Sequence, residues 1–360
     1  MTDNQNFHAA QAAKFAESLI DTLNKSALSF MISIGHRSEL FDMMRNMDFA
    51  TSDEVASKAN LNERYVREWL GAMVTGGIVE YKADTKTYRL PAEHAAFLTR
   101  QAGADNIGVF MQYAAVMGEV EDDILKCFKE GGGVPYSKFH RFHEVMAEDS
   151  GQSVLSSMES HIMPLVPGLI EKLKAGINML DVGCGSGRVI NKLASFFPNS
   201  RFTGMDFSSE AIGNATAEAS KSDLMNVEFF IKDLSDFHET APVEQFDFIT
   251  TFDAIHDQGK PLNVLKGIYR ALKNDGVYLM QDISGTSYLE KDKNHPIGPF
   301  LYTVSCMHCM TVSLAQNGEG LGAMWGEALT KEYLNKAGFS TIEVNKLAHD
   351  IQNNWYIVKK

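Results

Sequence analysis

At 360 residues, 44% of them hydrophobic, the chain is long enough for roughly two domains and a sizeable core. Its formal net charge of -13 opposes long-range attraction to nucleic acid or anionic membranes, and it holds no run of roughly 18 apolar residues to span a bilayer. The four cysteines, Cys127, Cys184, Cys306 and Cys309, are too few for a disulfide framework, and the opening MTDNQNFHAAQAAKF lacks the basic and apolar regions of a secretory signal, so a cytoplasmic protein is expected.

Within residues 1–50, Ala10, Phe15, Leu19, Leu23, Ala27, Met31 and Ile34 recur at helical spacing and predict an amphipathic stripe. Thr51 followed by Glu54 fits a capping box. After Asn62 a second helix turns Val66, Trp69, Leu70, Met73 and Val74 inward and stops at Gly76 and Gly77. Alternating runs IVEYK and TYRL flank a turn at 83–85, so two helices and a small hairpin predict a winged helix-turn-helix. Residues 104–175 read as helical again, with GGGVP (131–135) as a loop. Helix 153–174 carries one apolar side, but Pro164 and Pro167 predict a kink or break.

From Asn178 the texture changes. Strand-like MLDVG, RFTGMD, VEFFIKD, FDFITTFDA and GVYLMQDI alternate with helices at 188–197, 209–220 and 262–272. A helix at 330–337, STIEVNKL and NWYIVKK follow. Alternating strands and helices with continuous apolar strands predict a parallel, doubly wound α/β sheet covered on both faces.

The first of these strands runs into Gly183, Cys184, Gly185 and Gly187. Such a turn bares the backbone to a ligand, and the next helix offers free N–H groups. A dinucleotide site wants G-x-G-x-x-G/A, but position 188 is Arg, which argues against a nicotinamide or flavin oxidoreductase. No Lys-Ser/Thr pair follows, so the loop is not a Walker A phosphate loop. Asp206 ends the next strand 19 residues after Gly187, where a carboxylate suits ribose hydroxyls. Asp233 ends the third and suits an adenine amino group, with Leu234 and Phe207 as apolar walls, and Phe252 and Asp253 hold the same place on the fourth. Four strand ends therefore face one crevice.

The series "DVGCGSG", "GMD", "KDL" and "TFDAIHD" resembles the motifs of class I S-adenosylmethionine-dependent methyltransferases, across roughly residues 150–360. With its front half the chain resembles a bacterial and invertebrate group of such enzymes, and "MHCMTVSLAQNGEGLGAMWGE" also looks typical of that group. The resemblance implies a Rossmann-like class I methyltransferase sheet at 176–360, a winged-helix and dimerisation domain at 1–100, and a helical lid at 101–175. It implies S-adenosylmethionine as cofactor, the methionine portion held by Gly183, Gly185 and Gly187 beside Asp181 and Cys184, the ribose by Asp206, and the adenine by Asp233 and Leu234.

His256, just beyond the fourth strand end, is the candidate base, with Asp257 to orient it. Packing against a loop carbonyl is the plainer account of that histidine. Tyr302, His308, Cys309 and Met310, with Trp325, are expected to cap the acceptor pocket, joined by Tyr113, Tyr136 and Glu144 from the front half. A soft Met- and Cys-rich lining suits a small apolar or sulfur acceptor, and thiol methylation is associated with some similar proteins. An oxygen or nitrogen acceptor is the alternative. Cys306-x-x-Cys309 has no second pair, and His140 and His143 with Glu144 read as a helix face, so no metal is expected.

The winged helix raises a rival reading, a transcription regulator that binds the cofactor without turnover. Between 50 and 100, seven Lys/Arg (58, 64, 67, 82, 86, 89, 100) meet seven Asp/Glu (53, 54, 63, 68, 80, 84, 93), for a net of zero. That balance disfavours nucleic acid. A homodimer through the apolar N-terminal helices is expected instead.

Overall fold

The computed structural model describes residues 7–360, so residues 1–6 of the N-terminal stretch lie outside the described residues. The chain forms two compact units, Met1–Ala115 and Val116–Lys360. Among the described residues, no helix is long and apolar enough to cross a membrane.

In the first unit a long helix, Ala9–Arg37, precedes the winged helix-turn-helix. Helix Ser52–Ala59 starts at the capping box the sequence predicts: the Glu54 N–H donates to Thr51 Oγ1 at 3.3 Å, and the Thr51 N–H donates to Glu54 Oε2 at 2.7 Å. Helix Glu63–Thr75 is capped by Asn62, whose Oδ1 accepts from the Arg64 N–H. Strands β1 (Glu80–Lys82) and β2 (Thr87–Arg89) pair antiparallel as the wing. Val55, Val66, Trp69, Leu70 and Met73 are buried around Phe41, and Trp69 Nε1 donates to the Met31 carbonyl at 2.8 Å, fastening the long helix to this core.

Two details of this unit bear on partners. Arg64 and Arg67 pair with Glu68 and Glu63 on their own helix, at 2.5 and 3.3 Å. Much of the predicted apolar stripe of the long helix faces outward: Phe15, Leu19, Leu23 and Ile34 are all at least half exposed (64, 53, 69 and 50%).

The second unit holds β3 (Asn178–Val182), β4 (Arg201–Asp206), β5 (Val227–Ile231), β6 (Phe246–Phe252), β7 (Leu272–Ile283), β8 (Thr341–Asn345) and β9 (Asn353–Lys359). They form a seven-stranded sheet in the order β5-β4-β3-β6-β7-β9-β8. β3, β4, β5, β6 and β7 pair parallel. β9 runs antiparallel to both β7 and β8, so the sheet is mixed rather than wholly parallel. The last strands form a hairpin that inserts its second arm beside β7.

Alternation along β3 sorts the core. Leu180 and Val182 enter one buried cluster with Ile249, Tyr278 and Trp325, whereas Met179 enters the other with Phe202, Phe248 and Trp355. Helices Arg188–Phe196, Ser209–Lys221 and Pro261–Ala271 return the chain between successive strands. Chain order reverses at β3, which lies between β4 and β6. Ligands of such sheets bind at that switch point, outside the carboxyl ends of the strands.

The predicted helix over 153–174 is broken. The chain makes wide turns at Gly151–Leu155 and Met158–Ile162, a tight turn at Met163–Leu165, and returns to helix only at Leu169–Ala175. Pro164 and Pro167 remove two backbone donors there and bar a continuous ladder.

Candidate active site

The glycine loop at the end of β3 holds Gly183, Gly185 and Gly187 at left-handed φ values of 73°, 51° and 65°. Their surroundings differ. A Cβ on Gly183 would stand 2.5 Å from the Ala254 Cβ, and one on Gly187 would stand 2.7 Å from both Ala215 and Phe229. On Gly185 it would meet nothing within 4 Å. The outer two glycines allow close packing, and the middle one lays bare peptide on an open face.

Asp206, at the end of β4, organises that loop. Its Oδ2 accepts from the Gly185 N–H and its Oδ1 from the Ser208 N–H, both at 2.9 Å. A carboxylate has about four acceptor positions, so both oxygens can still take a ligand hydroxyl. Asp181, behind the loop, accepts from Thr250 Oγ1 at 2.7 Å, and burial pushes its carboxyl up to about 7. Burial also raises the Cys184 thiol, which stays a thiol.

Asp233 lies two residues beyond β5, exposed, with its Oδ1 accepting from the Ser235 N–H. Leu234 points into the core rather than lining a crevice as an open wall. Phe207 is 48% exposed beside the loop and meets the edge of Tyr136 at 5.8 Å. Phe252 packs toward Trp355, while Asp253 follows it with a φ of 49°. A left-handed non-glycine residue costs on the order of 1 kcal/mol or more and is a feature of functional sites. The Asp253 Oδ2 accepts from Gln281 Nε2 at 3.0 Å.

The partner of His256 is not Asp257. His256 Nδ1 lies 2.7 Å from Asp282 Oδ1, and both side chains are buried. Asp282 sits on β7, the strand beside β6, so the carboxylate comes from the neighbouring strand end rather than the adjacent residue. The same Oδ1 accepts from the Ile283 N–H at 2.8 Å and from Trp325 Nε1 at 3.0 Å. Trp325, itself buried, thus holds the carboxylate that pairs with the histidine. The buried Cys309 thiol stands near the His256 ring. Burial pulls the His256 pKa down, but Asp282 and Cys309 outweigh it and hold it well above the ordinary value. Burial raises Asp257 to about 6, with Asp206 and Asp282 adding to the rise and His256 opposing it.

An aromatic wall adjoins this pair. His308 is buried, stacks on Phe142 at 3.4 Å, and meets Tyr136 and Phe139 edge-on. Burial, with His256 and His143 nearby, drives its pKa well below normal, so it is neutral. Tyr136 lies 4.5 Å from the His143 ring. Not every predicted pocket residue joins. Glu144 is 64% exposed at its side chain and bonds Arg141, because its helix turns it to solvent. The Tyr302 hydroxyl donates to Asp292 within the insertion. Met310 is half-buried at the start of helix Met310–Ala315. Tyr113 belongs to the first unit.

Sequence reasoning missed Asp282, Thr250 and Phe142, and read His143 only as part of a helix face. Asp282 carried a usable signal, since GVYLMQDI has an acid one residue before its end, much as RFTGMD and VEFFIKD end in one. Thr250 and Phe142 carried none that stands out in the chain.

Comparison with known proteins agrees with the fold. Residues 26–100 match a family model described as an Rv2258c-like winged HTH domain, and residues 173–338 match one described as a methyltransferase domain. A malonyl-[acyl-carrier protein] O-methyltransferase of Ilyobacter polytropus is 27% identical over 138 residues, 38% of this chain and 48% of that protein. The chain thus spans about half the length of such curated relatives. The structure of the mitomycin 7-O-methyltransferase superimposes with a TM-score of 0.69 at 16% identity, covering 98% of this chain and 100% of that one. Human N-acetylserotonin methyltransferase, in complex with S-adenosylmethionine, gives 0.65 at 17% identity, covering 99% of each. At these identities the likeness is one of fold.

Proposed function

From a chain that carries a winged helix-turn-helix domain and a class I methyltransferase domain, we propose methyl transfer from S-adenosylmethionine to a small molecule, with His256 as the base. The observation that supports it most is the buried His256–Asp282 pair at adjacent strand ends, beside a glycine loop with one open face. S-adenosylmethionine supplies, when bound, a methyl group already activated by its sulfonium. The residues present fit that cofactor. The bare peptide around Gly185 would hold its methionine portion, Asp206 its ribose hydroxyls, and Asp233 its adenine amino group with Phe207 alongside.

The chain's own task is then to orient an acceptor, exclude water and take a proton. With Nδ1–H directed to Asp282, His256 Nε2 is the basic nitrogen. It accepts the acceptor's proton, and Asp282 stabilises the imidazolium that results. Asp257 stands near as a further carboxyl and does not orient the ring.

We favour the sulfur of a small thiol as the acceptor atom. Cys309 supports this, because its buried thiol already stands near His256, so the surroundings of the base accommodate sulfur. A hydroxyl is the second reading. It is favoured by the presence of a built base, which a thiol, about 3% ionised at pH 7, needs less. Residues 136–144 would close over the acceptor. The exposed stripe of helix Ala9–Arg37 would meet a second copy as a homodimer, and the internally paired Arg64 and Arg67 leave little for DNA.

A panel of small thiols and phenols with methyl-labelled cofactor tests the proposal. A labelled product formed by the wild type and lost in His256→Ala supports it. No product from either class, with the cofactor bound, would overturn it.

A further inference from the structure

The buried cluster around His256 contains two carboxylate oxygens without a partner among the described residues, Asp253 Oδ1 and Asp282 Oδ2. The other oxygen of each is taken: Asp253 Oδ2 by Gln281 Nε2, Asp282 Oδ1 by His256 Nδ1, the Ile283 N–H and Trp325 Nε1. Ligating atoms of Asp253, His256 and Asp282 lie within 4.8 Å of one another. Asp282 is fully buried, and a buried carboxylate oxygen left without a donor is costly.

Of the charges that act most strongly on the cluster, His256 is the basic one among the described residues. The charges that act most strongly on Asp253 are those of Asp282, His256, Asp350 and Asp149, and those on Asp257 are His256, Asp206 and Asp282. The His308 ring, stacked on Phe142, stands near His256, and Tyr136 stands near Asp257. Burial and the charge of Asp282 push the Asp253 carboxyl well above its ordinary range, and a cation placed between the two carboxyls would reverse that rise, whereas an anion there would be repelled.

We infer that Asp253 Oδ1 and Asp282 Oδ2 receive a protonated amine of the acceptor, so that the substrates are small molecules carrying an ammonium group close to the methyl-accepting atom. Acceptors with a carboxylate or phosphate in that position are rejected. The inference deepens the proposed function and rests on it. It is independent of whether sulfur or oxygen is methylated.

Calorimetry on the full chain saturated with S-adenosylhomocysteine tests this with matched probes. One set is cysteamine, 2-mercaptoethanol and 3-mercaptopropionate; the other is tyramine and 4-hydroxyphenylacetate. In each set the amine should bind about ten- to a hundredfold tighter than the carboxylate, the range of one buried charged hydrogen bond. Asp253→Asn should narrow that gap. If the variant does not fold, the wild-type ratios still decide. Equal affinity, or preference for the acids, overturns the inference and leaves the methyltransferase reading standing. Failure of S-adenosylhomocysteine itself to bind overturns both. Stoichiometric uptake of Zn2+ or Mn2+ by the wild type, lost in Asp253→Asn, would assign the oxygens to a metal ion and also overturn it.

Discussion

His256 Nδ1 and Asp282 Oδ1 meet at 2.7 Å inside the protein, although 26 residues separate them in the chain. This contact fixes which imidazole nitrogen carries the proton and which is left to act. It also makes the charge of Asp282 a control on the acidity of the ring.

That control is open to test. Asp282 raises the His256 pKa against the effect of burial. The base works only when neutral, so activity should fall as pH drops through the raised value, above the ordinary histidine range of about 6.5. Asp282→Asn removes the negative charge and should shift this acid limb to lower pH while cutting turnover by about a hundredfold or more. A pH profile of kcat/KM for both forms measures it. An unmoved limb would separate Asp282 from the base.

His256→Ala should divide catalysis from binding. Turnover should fall by about a hundredfold or more, the usual range for losing a general base. Affinity for S-adenosylhomocysteine should stay within about threefold, because no bound group depends on the ring before the proton moves. Comparable losses in both would mean that His256 shapes the cofactor site.

Asp206→Ala should weaken S-adenosylhomocysteine binding by well over about tenfold, since ribose hydroxyls would lose a charged acceptor. The structure adds a second consequence. The N–H groups of Gly185 and Ser208 also lose their acceptor, so thermal stability should fall as well. Calorimetry and a melting curve read the two effects separately, and unchanged affinity would contradict the assigned pose.

The glycines of the loop should fail in different ways. Gly187→Ala drives a Cβ to 2.7 Å from Ala215 and Phe229 at a φ of 65°, so folding stability should drop by about 1–3 kcal/mol. Gly185→Ala faces open space, so its larger effect should be on cofactor affinity. Denaturant titrations beside binding isotherms distinguish them. The opposite pattern would mean that Gly185 is the packing glycine.

Much of the frame was legible in the chain. The strand series, the capping box at Thr51 and Glu54, and the glycine loop all announce themselves by local chemistry, and local chemistry is what the fold uses there. Elements that depend on distant neighbours were not legible. The direction of β9 is set by its pairing with β7 and β8, which no residue of NWYIVKK encodes alone. The role given to Asp257 failed for the same reason: adjacency in sequence is a poor guide at a sheet edge, where the next strand brings Asp282 closer. Trp325 and Glu144 were placed by residue type, but one backs a carboxylate and the other is turned out by its helix. The break at 151–165 was half visible, through its prolines.

The central claim is that a sulfonium cofactor lies across the ends of β3, β4 and β6 within reach of His256. A crystal structure grown with saturating S-adenosylhomocysteine measures this directly. The account predicts the amino-acid tail on the peptide around Gly185, the ribose hydroxyls on Asp206, and the sulfur facing a space bordered by His256 and Cys309. Density elsewhere, or a crevice closed by protein at saturating ligand, would contradict it.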